Sequence, residues 1–237
     1  MKRLNLPLII GHRGACGHAL ENTLAGVHKA KELGVGWIEV DVMLTQDGVP
    51  ILMHDEQLDR TTQGRGEVGK TPYSIIKNLG VPTLPEFITC LIECQLGANI
   101  EMKPYPGQDV ETAKIIVHTL QRAWPASLPP PLVSSFSLLS LQAARQADPN
   151  LLLGFVMRTW KNTWQTQLQD LYCSSVHVRH TALTLKRVQA IKQAGYYALA
   201  YTVNTPQRAH ALFTMGIDAV FSDYPDKIFS AARNFSL

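Results

Sequence analysis

Short apolar runs alternate with stretches of helical periodicity along most of the chain, and this pattern predicts alternating strands and helices. Strands are predicted at 8–10, 37–42, 98–103, 132–136, 151–157, 175–178, 197–203 and 219–221. A hairpin around Asp47-Gly48 supplies a ninth candidate, so one of its two arms is surplus to a barrel of eight strands. Helices are predicted at 24–33, 74–79, 84–96, 109–123, 138–147, 164–171, 183–193 and 206–215. Because the alternation continues without a linker, we expect one α/β domain over residues 1–237, built as a closed parallel barrel of eight strands.

The hairpin is predicted from Asp47-Gly48, a dipeptide typical of two-residue turns. A two-residue turn centred there makes the numbers of paired positions sum to 95, so that His54 lies opposite Asp41. In the preceding strand, Glu39 and Asp41 share one face, because successive side chains alternate between the two faces of a strand. Two carboxylates and an imidazole are therefore expected at one end of the hairpin.

Composition narrows the class of partner. The formal net charge of the 237 residues is +3, without a basic cluster, which favours a small anionic substrate over nucleic acid. The N-terminal apolar run is short and contains Pro7, and no window has the length of a membrane helix, so we expect a cytoplasmic protein without a membrane partner. The oligomeric state stays open.

The four cysteines fit a reducing compartment. Cys90 and Cys94 lie four positions apart on a predicted helix, and the sequence has no CxxC pair with a histidine at zinc spacing. We therefore expect buried thiols rather than a structural zinc site at these positions.

Seven reactive side chains fall at the predicted carboxyl ends of strands or of the hairpin, where the active sites of parallel barrels lie. They are His12, Arg13, Glu39, Asp41, His54, Glu101 and Lys103. Three carboxylates in one mouth repel one another unless a cation neutralises them, and all-oxygen ligands suit Mg²⁺ or Ca²⁺. The two cationic side chains favour a phosphate, and the two imidazoles can share proton transfer. Together these groups indicate phosphodiester cleavage.

At these residues the chain resembles the glycerophosphodiester phosphodiesterase family, most closely its bacterial cytoplasmic form. The resemblance rests on motifs that run almost from end to end: HRG at 12–14, ENT at 21–23, IEVDV at 38–42, DG with HD at 47–55, LDRTTQGRG at 58–66, TLPE at 83–86, NIEMK at 99–103, SSF at 134–136 and YTVNTPQR at 201–208.

The resemblance implies a TIM-type (β/α)8 barrel of the PLC-like phosphodiesterase kind. It implies metal binding by Glu39, Asp41 and Glu101, acid–base catalysis by His12 and His54, and phosphate contacts from Arg13 and Lys103. The implied reaction is hydrolysis of glycerophosphodiesters, such as glycerophosphocholine or glycerophosphoethanolamine, to sn-glycerol 3-phosphate and an alcohol. A cyclic phosphate intermediate is implied. Within this scheme we assign His12 as first base and His54 as first acid.

Three departures from the family pattern affect the mouth. Leu20 stands where the family usually has proline before ENT, Tyr201 stands where many members have tryptophan, and the segment 66–83 is shorter than the usual insertion.

Two alternative functions remain at this point: a related barrel phospholipase D acting on lipid head groups, and a non-catalytic barrel that binds phosphoesters.

Overall fold

The computed structural model describes residues 5–169, 171–233 and 235. The strands are β1 (Ile9–Gly11), β2 (Trp37–Leu44), β3 (Pro50–Leu52), β4 (Gly97–Met102), β5 (Leu132–Ser135), β6 (Leu152–Met157), β7 (Ser175–Arg179), β8 (Tyr197–Tyr201) and β9 (Ala219–Ser222). The helices are α1 (Leu24–Glu32), α2 (Tyr73–Ile76), α3 (Leu84–Cys94), α4 (Asp109–Ala123), α5 (Leu138–Ala147), α6 (Trp164–Gln169), α7 (Leu185–Gln193), α8 (Pro206–Thr214) and α9 (Pro225–Ala232).

Eight parallel strands of this described part of the chain close into a barrel. β1 pairs with both β2 and β9, and the remaining strands follow in the order β8, β7, β6, β5 and β4 back to β2. Helices lie between the strands, as expected from a chain in which each strand is followed by an amphipathic stretch. The predicted TIM-type barrel is confirmed, and the ninth strand candidate is β3, which lies outside the barrel and pairs antiparallel to β2.

The barrel has two apolar layers. One consists of the outward faces of the strands packed against the helices and includes Ile38, Val40 and Val42 of β2. The other lies inside the barrel and includes Ile10, Leu132 and other buried side chains. Trp37 of β2 belongs to this inner layer, and because strand side chains alternate, Glu39 and Asp41 follow it on the same face toward the carboxyl end.

The register between β2 and β4 brings the acidic positions of the two strands together. Glu39 pairs with Asn99, and Asp41 pairs with Glu101. Three acidic side chains from sequence positions up to about sixty residues apart therefore enter the same end of the barrel, which is the carboxyl end of its parallel strands.

The predicted hairpin register is wrong by one residue. Val42 pairs with Leu52, and Leu44 with Pro50, so paired numbers sum to 94 and Asp41 lies opposite Met53. The turn has one residue more than expected: the amide of Gly48 donates to the carbonyl of Thr45 at 3.0 Å, and Gly48 has φ +78°. A tight turn followed by a left-handed glycine is the usual three-residue hairpin loop, which shifts the register by one. His54 reaches the mouth from the loop beyond β3 rather than from a position opposite Asp41.

Local signals explain where several of the helices begin. α3 begins after Thr83, whose hydroxyl accepts from the amide of Glu86 while the Glu86 carboxylate accepts from the amide of Thr83. The hydroxyl oxygens of Thr23, Ser137 and Thr205 likewise accept a backbone amide at the starts of α1, α5 and α8, without the reciprocal bond. α9 is absent from the sequence prediction. Within the described ranges, no helix is long and apolar enough to cross a membrane.

Candidate active site

Three carboxylates form the floor of the barrel mouth. Glu39, Asp41 and Glu101 each place an oxygen within 4.8 Å of the others. Glu39 and Asp41 are buried, whereas Glu101 is partly exposed toward the mouth. Such a set of oxygen donors fits a hard divalent cation and does not fit a thiophilic one.

The electrostatics of these carboxylates favour an additional positive charge. Burial, and next the neighbouring charge of Asp41, raise the pKa of Glu101 to about 8. The same two causes, followed by Glu101, raise the pKa of Glu39 well above its ordinary value. Burial and the mutual repulsion of the carboxylates thus outweigh the stabilisation that the nearby cationic side chains give to their ionised forms. The residues present therefore fit a divalent metal ion, whose charge would complete this compensation.

His12 follows β1 directly and lies beside the carboxylates. Its Nε2 is 3.8 Å from Oε2 of Glu39, and its Nδ1 is 2.6 Å from Oδ1 of Asp223, the residue that follows β9. A carboxylate only accepts hydrogen bonds, so Nδ1 of His12 carries a proton and Nε2 is directed to the mouth. Asp223 is itself held by Asn204, which donates from Nδ2 at 2.7 Å and accepts the Asp223 amide at 2.9 Å.

The surroundings of Asp223 keep it ionised. Burial alone would raise its pKa, but hydrogen bonds from His12, from the Cys16 thiol and from Asn204 outweigh burial and hold the pKa of Asp223 below its usual range. An ionised Asp223 orients the imidazole of His12 and stabilises its protonated form.

His54 is also hydrogen-bonded to a carboxylate, here that of the next residue in its own loop. Its Nδ1 lies 2.5 Å from Oδ1 of Asp55, and Oδ2 of Asp55 accepts from Nε of Arg60. Burial lowers the pKa of His54, as do Lys103 and Arg13 nearby, while Asp41 and Asp55 act in the opposite direction. The second imidazole is thus also fixed with Nδ1 toward a carboxylate.

Arg13 links the two sides of the mouth. Its guanidinium contacts Oδ2 of Asp41 at 3.1 Å and Oε1 of Glu21 at 2.7 Å, and its own amide donates to Glu39 at 3.0 Å. Glu21 accepts two further bonds from Arg60, at 2.7 and 2.8 Å. Burial opposes ionisation of Glu21, but the two arginines lower its pKa to about 2. Arg13 has φ +49°, and the backbone conformation of this loop turns its side chain back over the mouth.

Asp41 is fixed by a residue outside its own strand. Asn22, which is buried and has φ +54°, donates to Oδ2 of Asp41 at 2.9 Å and accepts the Asp41 amide at 3.0 Å. On the other side, Nζ of Lys103 is 3.8 Å from Oδ1 of Asp41.

Beside Lys103 the mouth opens into a cavity of about 330 Å³. Its lining includes Glu101, Lys103 and the half-exposed ring of Phe136. Tyr201 meets Phe136 edge to face at 6.2 Å and donates from its hydroxyl to the carbonyl of Met157. Phe136 thus gives this cavity an aromatic wall, which Tyr201 supports from behind.

The structure brings all seven residues expected from the sequence to one mouth. It adds a set of supporting residues that the prediction omitted, namely Glu21, Asn22, Asp55, Arg60, Asn204 and Asp223. Five of them stand inside the motifs ENT, HD, LDRTTQGRG and YTVNTPQR, so the signal was present without a role attached. Asp223 had only its position directly after the last strand to indicate it.

His177, a further barrel histidine, lies outside the reactive group. It is buried inside the barrel, with Nε2 at 2.9 Å from the Ser175 hydroxyl and its ring against Phe221. Burial lowers its pKa to about 3. It is a neutral packing residue.

The fold is that of a TIM-barrel enzyme, with its reactive residues at the carboxyl ends of the strands. The model of the glycerophosphoryl diester phosphodiesterase family matches residues 12–227 of this chain. The chain belongs to this family, as its motifs predict, and the predicted enzyme class, a phosphodiester hydrolase, is confirmed.

Relatives match over nearly the whole chain. The glycerophosphodiester phosphodiesterase of Caldanaerobacter subterraneus subsp. tengcongensis is 28% identical over 246 residues, covering 95% of this chain and 98% of that protein. The glycerophosphodiester phosphodiesterase of Bacillus subtilis (strain 168) is 29% identical over 259 residues, covering 96% and 87% respectively. A solved Oleispira antarctica phosphodiesterase, in complex with the product sn-glycerol-3-phosphate, is 40% identical with a TM-score of 0.92 and coverage of 95% and 96%.

Proposed function

We propose that this protein hydrolyses glycerophosphodiesters to sn-glycerol 3-phosphate and an alcohol, in a metal-dependent reaction with two histidines as acid and base. The observation that carries the proposal is the pair of imidazoles, each fixed through Nδ1 by a carboxylate, beside a group of three further carboxylates. The family match and the Oleispira antarctica structure with its glycerol phosphate product support the substrate class.

Glu39, Asp41 and Glu101 would hold the divalent ion, which we propose to be Mg²⁺ or Ca²⁺. When bound, it would supply positive charge for a phosphate oxygen and for the glycerol 2-hydroxyl. Asn22 keeps Asp41 in place for this role, since it bonds both the carboxylate and the amide of that residue.

His12 would act as the first base, because its Nε2 lies on the side of the carboxylate group, at 3.8 Å from Glu39. It would take the proton of the glycerol 2-hydroxyl as that oxygen forms a bond to phosphorus. The bond from phosphorus to the alcohol oxygen then breaks, and His54 would give its proton to this departing oxygen. In the second stage the roles reverse, and water opens the cyclic phosphate to yield glycerol 3-phosphate.

Arg13 and Lys103 would neutralise the phosphate that approaches the carboxylates. Both cations already lie against Asp41, at 3.1 and 3.8 Å, so their charges are held at the place where a phosphate would otherwise be repelled. The cavity beside Lys103 and Phe136 would receive one substituent of the phosphate. We propose that residues 1–237 form a single catalytic domain.

The proposal is tested by release of glycerol 3-phosphate from glycerophosphocholine. We expect turnover that a chelator abolishes and that added Mg²⁺ or Ca²⁺ restores. His12→Ala and His54→Ala should each lower kcat on the order of 10²–10⁴-fold, while His118→Ala, an exposed histidine of α4, should not. Near-normal turnover in either mouth variant contradicts the scheme. Release of choline from intact choline phospholipid, without reaction on glycerophosphocholine, points instead to a phospholipase D.

The order of the two histidines is tested separately with a p-nitrophenyl ester of glycerol phosphate. Nitrophenolate leaves without protonation, so the variant that lacks the first acid should regain much of its activity on this ester. We expect this recovery in His54→Ala and not in His12→Ala. The reverse pattern exchanges the two roles.

A further inference from the structure

A second cluster of metal-ligating side chains lies away from the mouth, between two neighbouring helices of the outer layer. His28 of α1 stands over Cys90 and Cys94 of α3, and the ligand atoms of all three lie within 4.8 Å of one another. Cys90 and Cys94 are buried in the layer between strands and helices, while His28 is exposed. None of these three residues belongs to the carboxylate group of the mouth.

The separation of the atoms matches a tetrahedral metal site. Sγ of Cys90 is 3.6 Å from Nε2 of His28, and Sγ of Cys94 is 3.5 Å from Nδ1 of the same ring. Zinc–sulfur and zinc–nitrogen bonds of about 2.3 and 2.0–2.1 Å at the tetrahedral angle place sulfur and nitrogen about 3.6 Å apart. The two short approaches use different ring nitrogens, so coordination by one nitrogen requires a rotation of the ring. An exposed histidine can make that rotation without disturbing the core.

The placement of the ligands in the two helices supports the same conclusion. Residues four apart on a helix project from the same face, so Cys90 and Cys94 point together toward α1. The capping box at Thr83 and Glu86 fixes the start of α3, and α1 packs directly on that helix. Three ligands are thus held on two rigid elements, which is the arrangement that metal sites need.

We propose that His28, Cys90 and Cys94 form a binding site for a thiophilic d¹⁰ cation, namely Zn²⁺, with solvent in the fourth position. Two thiols and one imidazole select such an ion over Mg²⁺ or Ca²⁺. Binding converts the two thiols to thiolates and releases a proton from each. Three protein ligands leave an open position, so the ion should exchange with solution. The proposal is independent of the catalytic scheme, because it shares no residue with it.

Cobalt is the probe that separates this site from the mouth, since Co²⁺ bound by thiolates gives a strong near-ultraviolet charge-transfer band and Co²⁺ bound by carboxylates does not. The 237-residue protein, stripped of metal and with its thiols reduced by a phosphine, is titrated with Co²⁺ and then with Zn²⁺. We expect a charge-transfer band that saturates at one equivalent and that Zn²⁺ removes. The band should vanish in Cys90→Ser and Cys94→Ser, and the affinity for Co²⁺ should fall at least tenfold in His28→Ala.

Three variants serve as matched controls. Cys173→Ser removes another buried thiol, Glu101→Gln disables the carboxylate group, and Cys16→Ser removes the thiol that lies against Asp223 in the mouth. All three should keep the band. Absence of a band in the wild-type protein, or a band that disappears only in Cys16→Ser, overturns the proposal.

A thermal measurement keeps the proposal testable if the serine variants fold poorly. In the Glu101→Gln background, Zn²⁺ should raise Tm by several degrees, because a ligand that binds only the folded state stabilises it. The exposed substitution His28→Ala should remove this rise. An equal rise with and without His28 contradicts the site.

Discussion

At the scale of single residues, the two imidazoles of the mouth share one solution to the problem of orientation. His12 meets Asp223 through Nδ1, and His54 meets Asp55 through Nδ1, although the four residues come from three loops. A neutral imidazole has two tautomers, and only a bond at one nitrogen decides which is present. Each carboxylate therefore sets which nitrogen can exchange protons at the mouth.

Asp223→Asn tests this positioning role. The substitution keeps the shape of the side chain but removes the charge that holds the Nδ1 proton of His12. We expect kcat on glycerophosphocholine to fall on the order of 10²–10⁴-fold, with little change in Tm. Steady-state kinetics give the separate effects on kcat and KM. Asp226→Asn, which breaks a similar but exposed contact to His18 at 2.7 Å, is the matched control and should leave kcat unchanged. Wild-type kcat in Asp223→Asn argues against the role.

His177 links folding to pH. Burial lowers its pKa to about 3 in the folded protein, whereas the unfolded chain has a histidine pKa of about 6.5. Between these values only the unfolded state takes up the proton. The contribution of the neutral ring to stability is therefore complete above pH 6.5 and declines as the pH falls toward 3.

We predict that His177→Gln flattens this decline. Between pH 7 and pH 5 the wild-type protein should lose about 2 kcal/mol more stability than the variant does. Urea unfolding at pH 7, 6 and 5 measures the difference, whatever the stability of the variant at pH 7. His118→Gln, at an exposed position of α4, should keep the wild-type pH dependence. Parallel curves for wild type and His177→Gln would show that folding does not lower the pKa of His177.

At the scale of elements, the hairpin of β2 and β3 lies beside the barrel and supports His54. A separate apolar cluster of Met43, Ile51, Met53 and neighbouring side chains packs between the hairpin and the segment that follows it. This segment contains a 3₁₀ turn at Val68–Lys70, the short helix α2 and a second 3₁₀ turn at Lys77–Leu79. The segment 66–83 thus has its own core, which anchors the loop that carries His54 and Asp55.

Gly48 determines the register of this hairpin, so its replacement should cost stability. Gly48 has φ +78°, a conformation in which a side chain costs roughly 1–2 kcal/mol. We expect Gly48→Ala to lower the free energy of unfolding by about 1 kcal/mol. Gly36→Ala is the control, because Gly36 lies outside the left-handed region and an added Cβ would meet nothing within 4 Å. Equal effects of the two substitutions in urea unfolding would contradict the turn geometry.

At the scale of the whole molecule, closure of the barrel creates the mouth. Closure places β1 beside both β2 and β9, and so joins His12, Glu39 and Asp223 from the two ends of the chain. It also places β4 beside β2 and concentrates three acidic groups in a partly buried space. Such a concentration of charge reduces stability, and the cation that we propose for this site would offset the loss when it binds.

Glu101→Gln should separate the loss of stability caused by charge repulsion from the gain in stability caused by ion binding. Removing one of three mutually repelling carboxylates should raise the stability of the metal-free protein, on the order of 1 kcal/mol. The same substitution should abolish the rise in Tm that Mg²⁺ or Ca²⁺ causes in the wild-type protein. Thermal unfolding with chelator and with either ion measures both quantities. Glu93→Gln, at an exposed position of α3, should change neither. A destabilised metal-free Glu101→Gln would show that Glu101 serves packing rather than ion binding.

The sequence determined the order of the elements, the inward position of Glu39 and Asp41 and the choice of the seven candidate residues that lie together at the mouth, because each of these depends on local periodicity or on motifs that short segments carry. Helices 109–123 and 138–147 have the predicted bounds for the same reason.

The tertiary structure decided the partners of those residues. The pairing of His12 with Asp223, the bonds of Asn22 to Asp41 and the approach of His28 to Cys90 join positions 211, 19 and 62 residues apart. The hairpin register also depended on the fold, since a change of one residue in the turn shifts every pair. Contacts between distant segments follow from barrel closure and helix packing, and no local pattern of the chain contains them.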